Sequence, residues 1–179
     1  FSATASYFGK HLYGDNGHIP IGLISSAVGG ASIETFLVNQ VDNGNGAQFG
    51  NSALYKRLIY PYTNWENSET GKGIQLAGVI WYQGEADANS SKITMPAYTK
   101  AMESMVSDYR TVFNDDSLPF MYVQLAAFDN PGGEYAAMRE AQFNYMIGKN
   151  TTNGKPENVG MAVITDNTDN IKDIHPRNK

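Results

Sequence analysis

Cysteine is absent from the 179 residues, which excludes disulfides and thiolate metal sites within them. The compartment stays open, because exported bacterial proteins often lack cysteine too. Histidine occurs three times, at His11, His18 and His175, and never as His-x-x-x-His, so no zinc site is expected. No apolar run approaches the roughly 18 residues of a membrane span, and no charged-then-apolar leader is present. The 13 basic residues do not cluster and the net charge is −5, which leaves no electrostatic footprint for nucleic acid or an anionic membrane. Asp166, Asp169 and Asp173 lack the glycine and glutamate that a calcium loop needs, and read as solvated acids. Gly44, Gly46 and Gly50 miss the dinucleotide spacing and follow no strand. No metal or cofactor is expected.

What is present is an ordinary globular composition, 41% hydrophobic and 17% charged, in a chain long enough for one buried core. A single domain over residues 1–179 is expected. The chain opens on Phe1 instead of methionine, which reads as a cut or processed end with which any leader could have been lost. Asn-x-Ser/Thr matches at Asn89 and Asn150 are too frequent by chance to decide a location.

Residues 2–13 show an amphipathic helix pattern through Ala5, Phe8 and Leu12. Residues 19–27 are continuously apolar, as a strand buried on both faces would be. Residues 39–50 are rich in Asn, Gly and Gln and read as a surface loop; 52–59 as a short helix stopped by Pro61; 64–73 as a polar connection. A central strand is expected over 74–82. The clearest helix spans 95–113, with a core stripe of Tyr98, Met102, Met105, Tyr109 and Val112. A strand over 119–125, a turn at Pro131-Gly132-Gly133, a helix over 134–147 and a strand over 159–165 follow. This alternation argues for an α/β fold with a parallel sheet covered on both faces.

Three polar clusters stand at the predicted strand ends, where open α/β sheets form their ligand crevice. Gln83, Gly84 and Glu85 follow the apolar run ending in Trp81-Tyr82. Gly29 and Gly30 follow the 19–27 strand and let backbone N–H groups face a ligand. Asp173-Ile174-His175-Pro176 lies beyond the last strand; a carboxylate two residues before a histidine can accept Nδ1–H and leave Nε2 free as a base. The bland readings make His175 a capped loop residue, His11 and His18 surface residues, and Arg139 and Glu140 ion-paired. Glu85 then holds its loop by hydrogen bonds, with Asp87 exposed.

Taken in order, Phe1-Ser2-Ala3, the Ile21-Gly22-Leu23-Ile24-Ser25-Ser26 strand with Gly29-Gly30 and Ile33-Glu34, Trp81-Tyr82-Gln83-Gly84-Glu85, Val123-Gln124-Leu125-Ala126, Arg139-Glu140-Ala141-Gln142 and Asp173-Ile174-His175-Pro176 resemble the sialate O-acetylesterase family of SGNH-type hydrolases. The resemblance implies a three-layer, flavodoxin-like α/β/α fold and removal of O-acetyl groups from sialic acid or related sugars through a serine acyl-enzyme. It makes His175 the general base and Asp173 its orienter. A backbone N–H at Gly29 or Gly30 and the Gln83 side chain become oxyanion donors, and Glu85, Trp81 and Ser32 the sugar contacts. Ala86-Asp87 stands where many members have Ser-Asn.

The family's Gly-Gln-Ser-Asn nucleophile motif does not occur here, nor does a Gly-x-Ser-x-Gly elbow. The resemblance therefore implies a domain truncated at both ends, whose first, central strand and nucleophile come from an upstream segment acting as a partner. Two inner sheet edges would otherwise stay unpaired, which buried backbone does not tolerate. Ser25 and Ser26 are the in-chain alternatives to that nucleophile. The competing functions are a carbohydrate-binding relative without a nucleophile and a glycosidase using Glu85, whose neighbour Asp87 is poorly placed to flank a bond with it. A secreted or periplasmic bacterial setting follows from the resemblance and from where such substrates occur.

Overall fold

The computed structural model describes residues 3–66 and 75–174, and the chain divides into two compact units, residues 1–29 with 56–74 and residues 30–55 with 75–179. In the first unit, helix α1 (Ala3–Asp15) sets Gly9 against the segment after it: a Cβ on Gly9 would lie 3.0 Å from the Leu23 side chain. Residues 19–28 form no strand, contrary to the reading of the apolar run. Ile19 is 56% exposed and Ile24 37%, and no ladder partner lies beside them among the described residues. Apolar content gives a segment β propensity; a strand also needs an edge to pair with.

Helix α2 (Tyr55–Glu66) runs through Pro61 instead of stopping there. A proline in a helix interior leaves the carbonyl four residues back without its N–H donor. That carbonyl belongs to Arg57, and Ser26 Oγ donates to it at 2.9 Å. A side chain from the neighbouring segment thus supplies the missing hydrogen bond.

In the second unit, β1 (Val41–Asp42) and β2 (Gln48–Phe49) form a small antiparallel hairpin where the sequence reads as a loop. Asn43 organises its turn, its Oδ1 accepting from the N–H groups of Asn45 and Ala47. Three parallel strands follow, β3 (Val79–Trp81), β4 (Phe120–Val123) and β5 (Val159–Ala162), in that order across the sheet with Val79, Phe120 and Val159 aligned. All three are shorter than the apolar runs that carry them. Between them come a single helical turn, α3 (Glu85–Ala88), and the long helices α4 (Met95–Phe113) and α5 (Tyr135–Ile147), both close to their expected bounds. Thr94 caps α4 with Pro96 just inside, and Asn114 ends it in a left-handed conformation.

The side chains alternate across the sheet as strand geometry requires. Trp81, Phe120 and Tyr122 are buried on the face that meets the long helices, while Ile80 (37% exposed) and Met121 (43%) point to the other. The α4 stripe is core, with Tyr98, Met102, Met105 and Tyr109 fully buried, each contributing on the order of 1.5–3 kcal/mol; Val112 at its end is exposed. Arg110, near the C-terminus of α4, donates to the carbonyls of Leu118 and Glu157 and so fixes where β4 and β5 begin. The fold is α/β with a parallel sheet, as the alternation of elements implies, and β3 is paired on one side only among the described residues.

Candidate active site

Gly84 makes the turn from β3 into α3, and only glycine fits: its φ is +147°, and a Cβ would stand 3.1 Å from Leu125 and 3.2 Å from Met138. The helical turn that follows settles the neighbouring carboxylates. Residues two apart on a helix point about 200° apart, so Glu85 faces a cleft, half-buried, while Asp87 turns inward and is 1% exposed. The expectation of an exposed Asp87 is overturned by this geometry.

Asp87 Oδ2 accepts from the Ile33 N–H at 2.9 Å and from Gln83 Nε2 at 2.5 Å. Gln83 Nε2 also donates to the Ala31 carbonyl at 3.0 Å, which ties the end of β3 to the turn after Gly30. Tyr98 on α4 donates to Gln83 Oε1 at 3.2 Å, and Gln142 on α5 donates from Nε2 to the Gln83 carbonyl at 3.0 Å. Gln142 Oε1 in turn accepts the Leu125 N–H at 2.9 Å. Every polar atom of the Gln83 side chain is thereby engaged, and both of its amide protons have acceptors inside the chain. Burial raises the Asp87 carboxyl above its ordinary range against the pull of the Gln83 and Ile33 donors, with Glu34 and Glu85 adding to the rise. Burial, then the charges of Asp87 and Glu85, likewise hold the Tyr98 phenol far above its usual value, so it stays a donor.

Beside this buried network lies a small cleft lined by Tyr82, Glu85, Phe128, Tyr135, Asp173 and Ile174. Phe128 and Tyr135 meet edge to face at 4.8 Å. Desolvation and then Glu85 push the Tyr82 phenol up to about 12, while a hydrogen bond from the Ala126 backbone pulls the other way. Glu85 and Asp173 in this lining can meet the hydroxyl groups of a ligand, with the Tyr82 ring beside them.

Of the expected site residues, the structure brings Glu85 and Asp173 to this cleft and Gln83 to the glycine turn. Gly30 has a positive φ of +72° and Gly29 does not, so the conformational need falls on Gly30 alone; Gly29 belongs to the first unit. Trp81 is corrected: its indole is 8% exposed and packs edge-on against Phe36 at 4.9 Å, inside the core, and Tyr82 is the motif's aromatic in the cleft. Ser32 is half-buried and precedes a short 3-10 turn, Ile33–Thr35, where its carbonyl accepts the Thr35 hydroxyl at 2.9 Å. Arg139 donates to the Ala126 carbonyl at 3.4 Å. His175 lies outside the described residues. Among those described, no group of three potential metal ligands comes together and no helix is long and apolar enough to cross a membrane.

Tyr98, Gln142 and Asp87 were not found from sequence. Tyr98 reads as one member of a core stripe, and Gln142 lies 59 residues from the carbonyl it meets. The spacing of four between Gln83 and Asp87 is the one local signal of their pairing.

An α/β protein that gathers polar side chains at the carboxyl ends of a parallel sheet is built as ligand-binding and hydrolytic α/β domains are. The chain belongs to the family described as "carbohydrate esterase, sialic acid-specific acetylesterase", whose model matches residues 3–168. Human sialate O-acetylesterase is 29% identical over 208 residues, and the mouse protein of the same name 27% over 233. Each alignment takes in 99% of this chain, which spans 36% of the human and 40% of the mouse relative. Among solved structures, a carbohydrate acetylesterase from Xanthomonas citri matches with a TM-score of 0.73 and 31% identity, over 98% of this chain and 37% of that one. A protein from Arabidopsis thaliana shares the fold at a TM-score of 0.64 and 23% identity, over 90% of this chain and 56% of its own.

Proposed function

We propose that the protein is a carbohydrate esterase that removes O-acetyl groups from sialic acid or related acetylated sugars through a serine acyl-enzyme. The serine comes from a segment upstream of Phe1 in an SGNH-type domain. Its Oγ attacks the acetyl carbonyl and His175, oriented by Asp173, takes the proton. The C–O bond to the sugar then breaks, and the sugar oxygen leaves with that proton. Water, deprotonated by His175, hydrolyses the acetyl-serine to acetate. The N–H of Gly30 and the Gln83 amide receive the oxyanion. Glu85, with Tyr82, contacts the sugar. A secreted or periplasmic bacterial location accords with the substrate class.

The observation that carries this reading is the hydrogen bond from Gln83 Nε2 to the Ala31 carbonyl, which holds a side-chain donor beside the glycine turn at the end of a parallel strand. Two further observations support an upstream nucleophile. The Ser26 hydroxyl donates to the Arg57 carbonyl, and β3 has one edge without a strand among the described residues.

A second reading, a carbohydrate-binding relative without catalysis, is favoured by the engagement of both Gln83 amide protons within the chain. Acetate release from an acetylated sialoside and from neutral acetylated sugars separates the two. The esterase reading predicts release by the natural full-length polypeptide and its loss in His175→Ala. Glycan binding without release would establish the binder.

A further inference from the structure

The two ends of a glutamine carboxamide have nearly the same shape, and their neighbours decide which way round the group sits. At Gln83 the neighbours are unambiguous. Tyr98 offers a hydroxyl to Oε1, while Asp87 Oδ2 and the Ala31 carbonyl receive Nε2. Asp87 Oδ2 acts here as an acceptor, so it admits the nitrogen end and refuses the oxygen. The Ile33 N–H bonds the same Oδ2 and anchors the carboxylate to the segment just after the glycine turn.

Asp87 is 1% exposed, the groups that bond it are neutral, and the charges it feels, Glu34 and Glu85, are both negative. A buried charge in such company is costly, and an asparagine would fill the same volume without one. An asparagine could also present its N–H to Gln83 and let the carboxamide turn over.

We propose that Asp87 is a positioning residue that fixes Nε2 of Gln83 toward the glycine turn, so that the N–H now resting on the Ala31 carbonyl is the one delivered to the ester's acyl oxygen. Substrate displaces the 3.0 Å contact with Ala31 and leaves the 2.5 Å contact with Asp87 in place. This rests on the esterase reading, with Gln83 as an oxyanion donor.

The test is made on the natural full-length polypeptide with Asp87→Asn, measuring acetate release and, with 15N-labelled glutamine, the exchange of the Gln83 side-chain amide protons. The expected result is a kcat lowered about tenfold or more, KM within about twofold, a melting temperature no lower than that of the wild type, and faster Gln83 exchange. A folded Asp87→Asn protein with wild-type kcat and wild-type exchange overturns the proposal, as does a loss of activity that only follows lost folded protein. Should the wild type release no acetate from any acetylated sugar, the esterase reading fails and the exchange comparison alone decides the orientation. Should Asp87→Asn not fold, the wild type decides: Gln83 protons exchanging as fast as those of exposed Gln48 overturn the proposal, and protected ones uphold it.

Discussion

Ser26 Oγ donates to the carbonyl of Arg57 at 2.9 Å, the carbonyl that Pro61 deprives of its helical partner. A serine at the end of an apolar run next to two glycines invites a catalytic reading, and this contact gives it a structural one. Ser26→Ala is expected to destabilise the protein by about 1 kcal/mol, the usual net worth of such a bond, and to leave turnover intact. Restoring the N–H with Pro61→Ala should remove most of that cost. Denaturant unfolding of the two single variants and the double variant measures the coupling; additive effects would deny the relationship.

Asp87 gives stability a pH dependence of known sign. Its carboxyl is raised above the ordinary 3.8 in the folded protein, mainly by burial. Such a group contributes its full stability below about pH 3.8, and the contribution is lost as pH rises through the folded value. The stability difference between wild type and Asp87→Asn should therefore move against the wild type as pH rises above about 4. Unfolding free energies at several pH values check this, and a difference moving toward the wild type would contradict it.

Gln83→Ala removes more than the oxyanion donor proposed for this residue. It leaves the Ala31 carbonyl and the buried Asp87 carboxylate short of a partner and the Tyr98 hydroxyl without its Oε1 acceptor. Losing an oxyanion donor costs ~2.7–4 kcal/mol of transition-state stabilisation, so kcat should fall by about 100- to 1,000-fold. A stability loss on the order of 1–3 kcal/mol should accompany it. Turnover assayed under folded conditions, beside thermal unfolding, separates the two effects; near-normal turnover removes Gln83 from the mechanism.

Glu85 stands in the cleft and outside the buried network, so its substitution should act on binding. Glu85→Gln is expected to raise KM several-fold with kcat little changed and stability within about 0.5 kcal/mol of wild type. Steady-state kinetics check it, and an equal fall in kcat and kcat/KM would point to a transition-state role instead.

Much of the scaffold was legible because it is local. Helix α4 carries its apolar stripe, its Thr94 cap and its Asn114 stop within one stretch, and α5, β4 and β5 follow from short patterns bounded by Gly, Pro and Asn. What was not legible depends on partners distant in sequence. Residues 19–28 are apolar enough for a strand, but no ladder partner lies beside them among the described residues and they form none. Pro61 reads as a helix stop unless Ser26, 35 residues earlier, supplies the missing donor. The hairpin at Val41 and Phe49 hides in a Gly- and Asn-rich stretch because two residue pairs carry no periodic signal.

The site divides the same way. Gln83 and Glu85 draw attention because polar residues stand out at a strand end, and Gly30 because it closes an apolar run. Asp87 was misplaced because a carboxylate in a polar loop is exposed by default, and one helical turn reverses its direction. Trp81 was assigned to substrate because it neighbours the motif, whereas strand alternation sends it toward the helices.

The measurement that tests the central claim most directly is acetate release from an acetylated sialoside by the 179-residue chain and by the natural full-length polypeptide, each with His175→Ala as control. The account predicts release by the full-length protein alone, rising with pH as the general base loses its proton and abolished by His175→Ala. Release by the 179 residues alone, lost with His175→Ala, would place the nucleophile inside this chain and contradict the account.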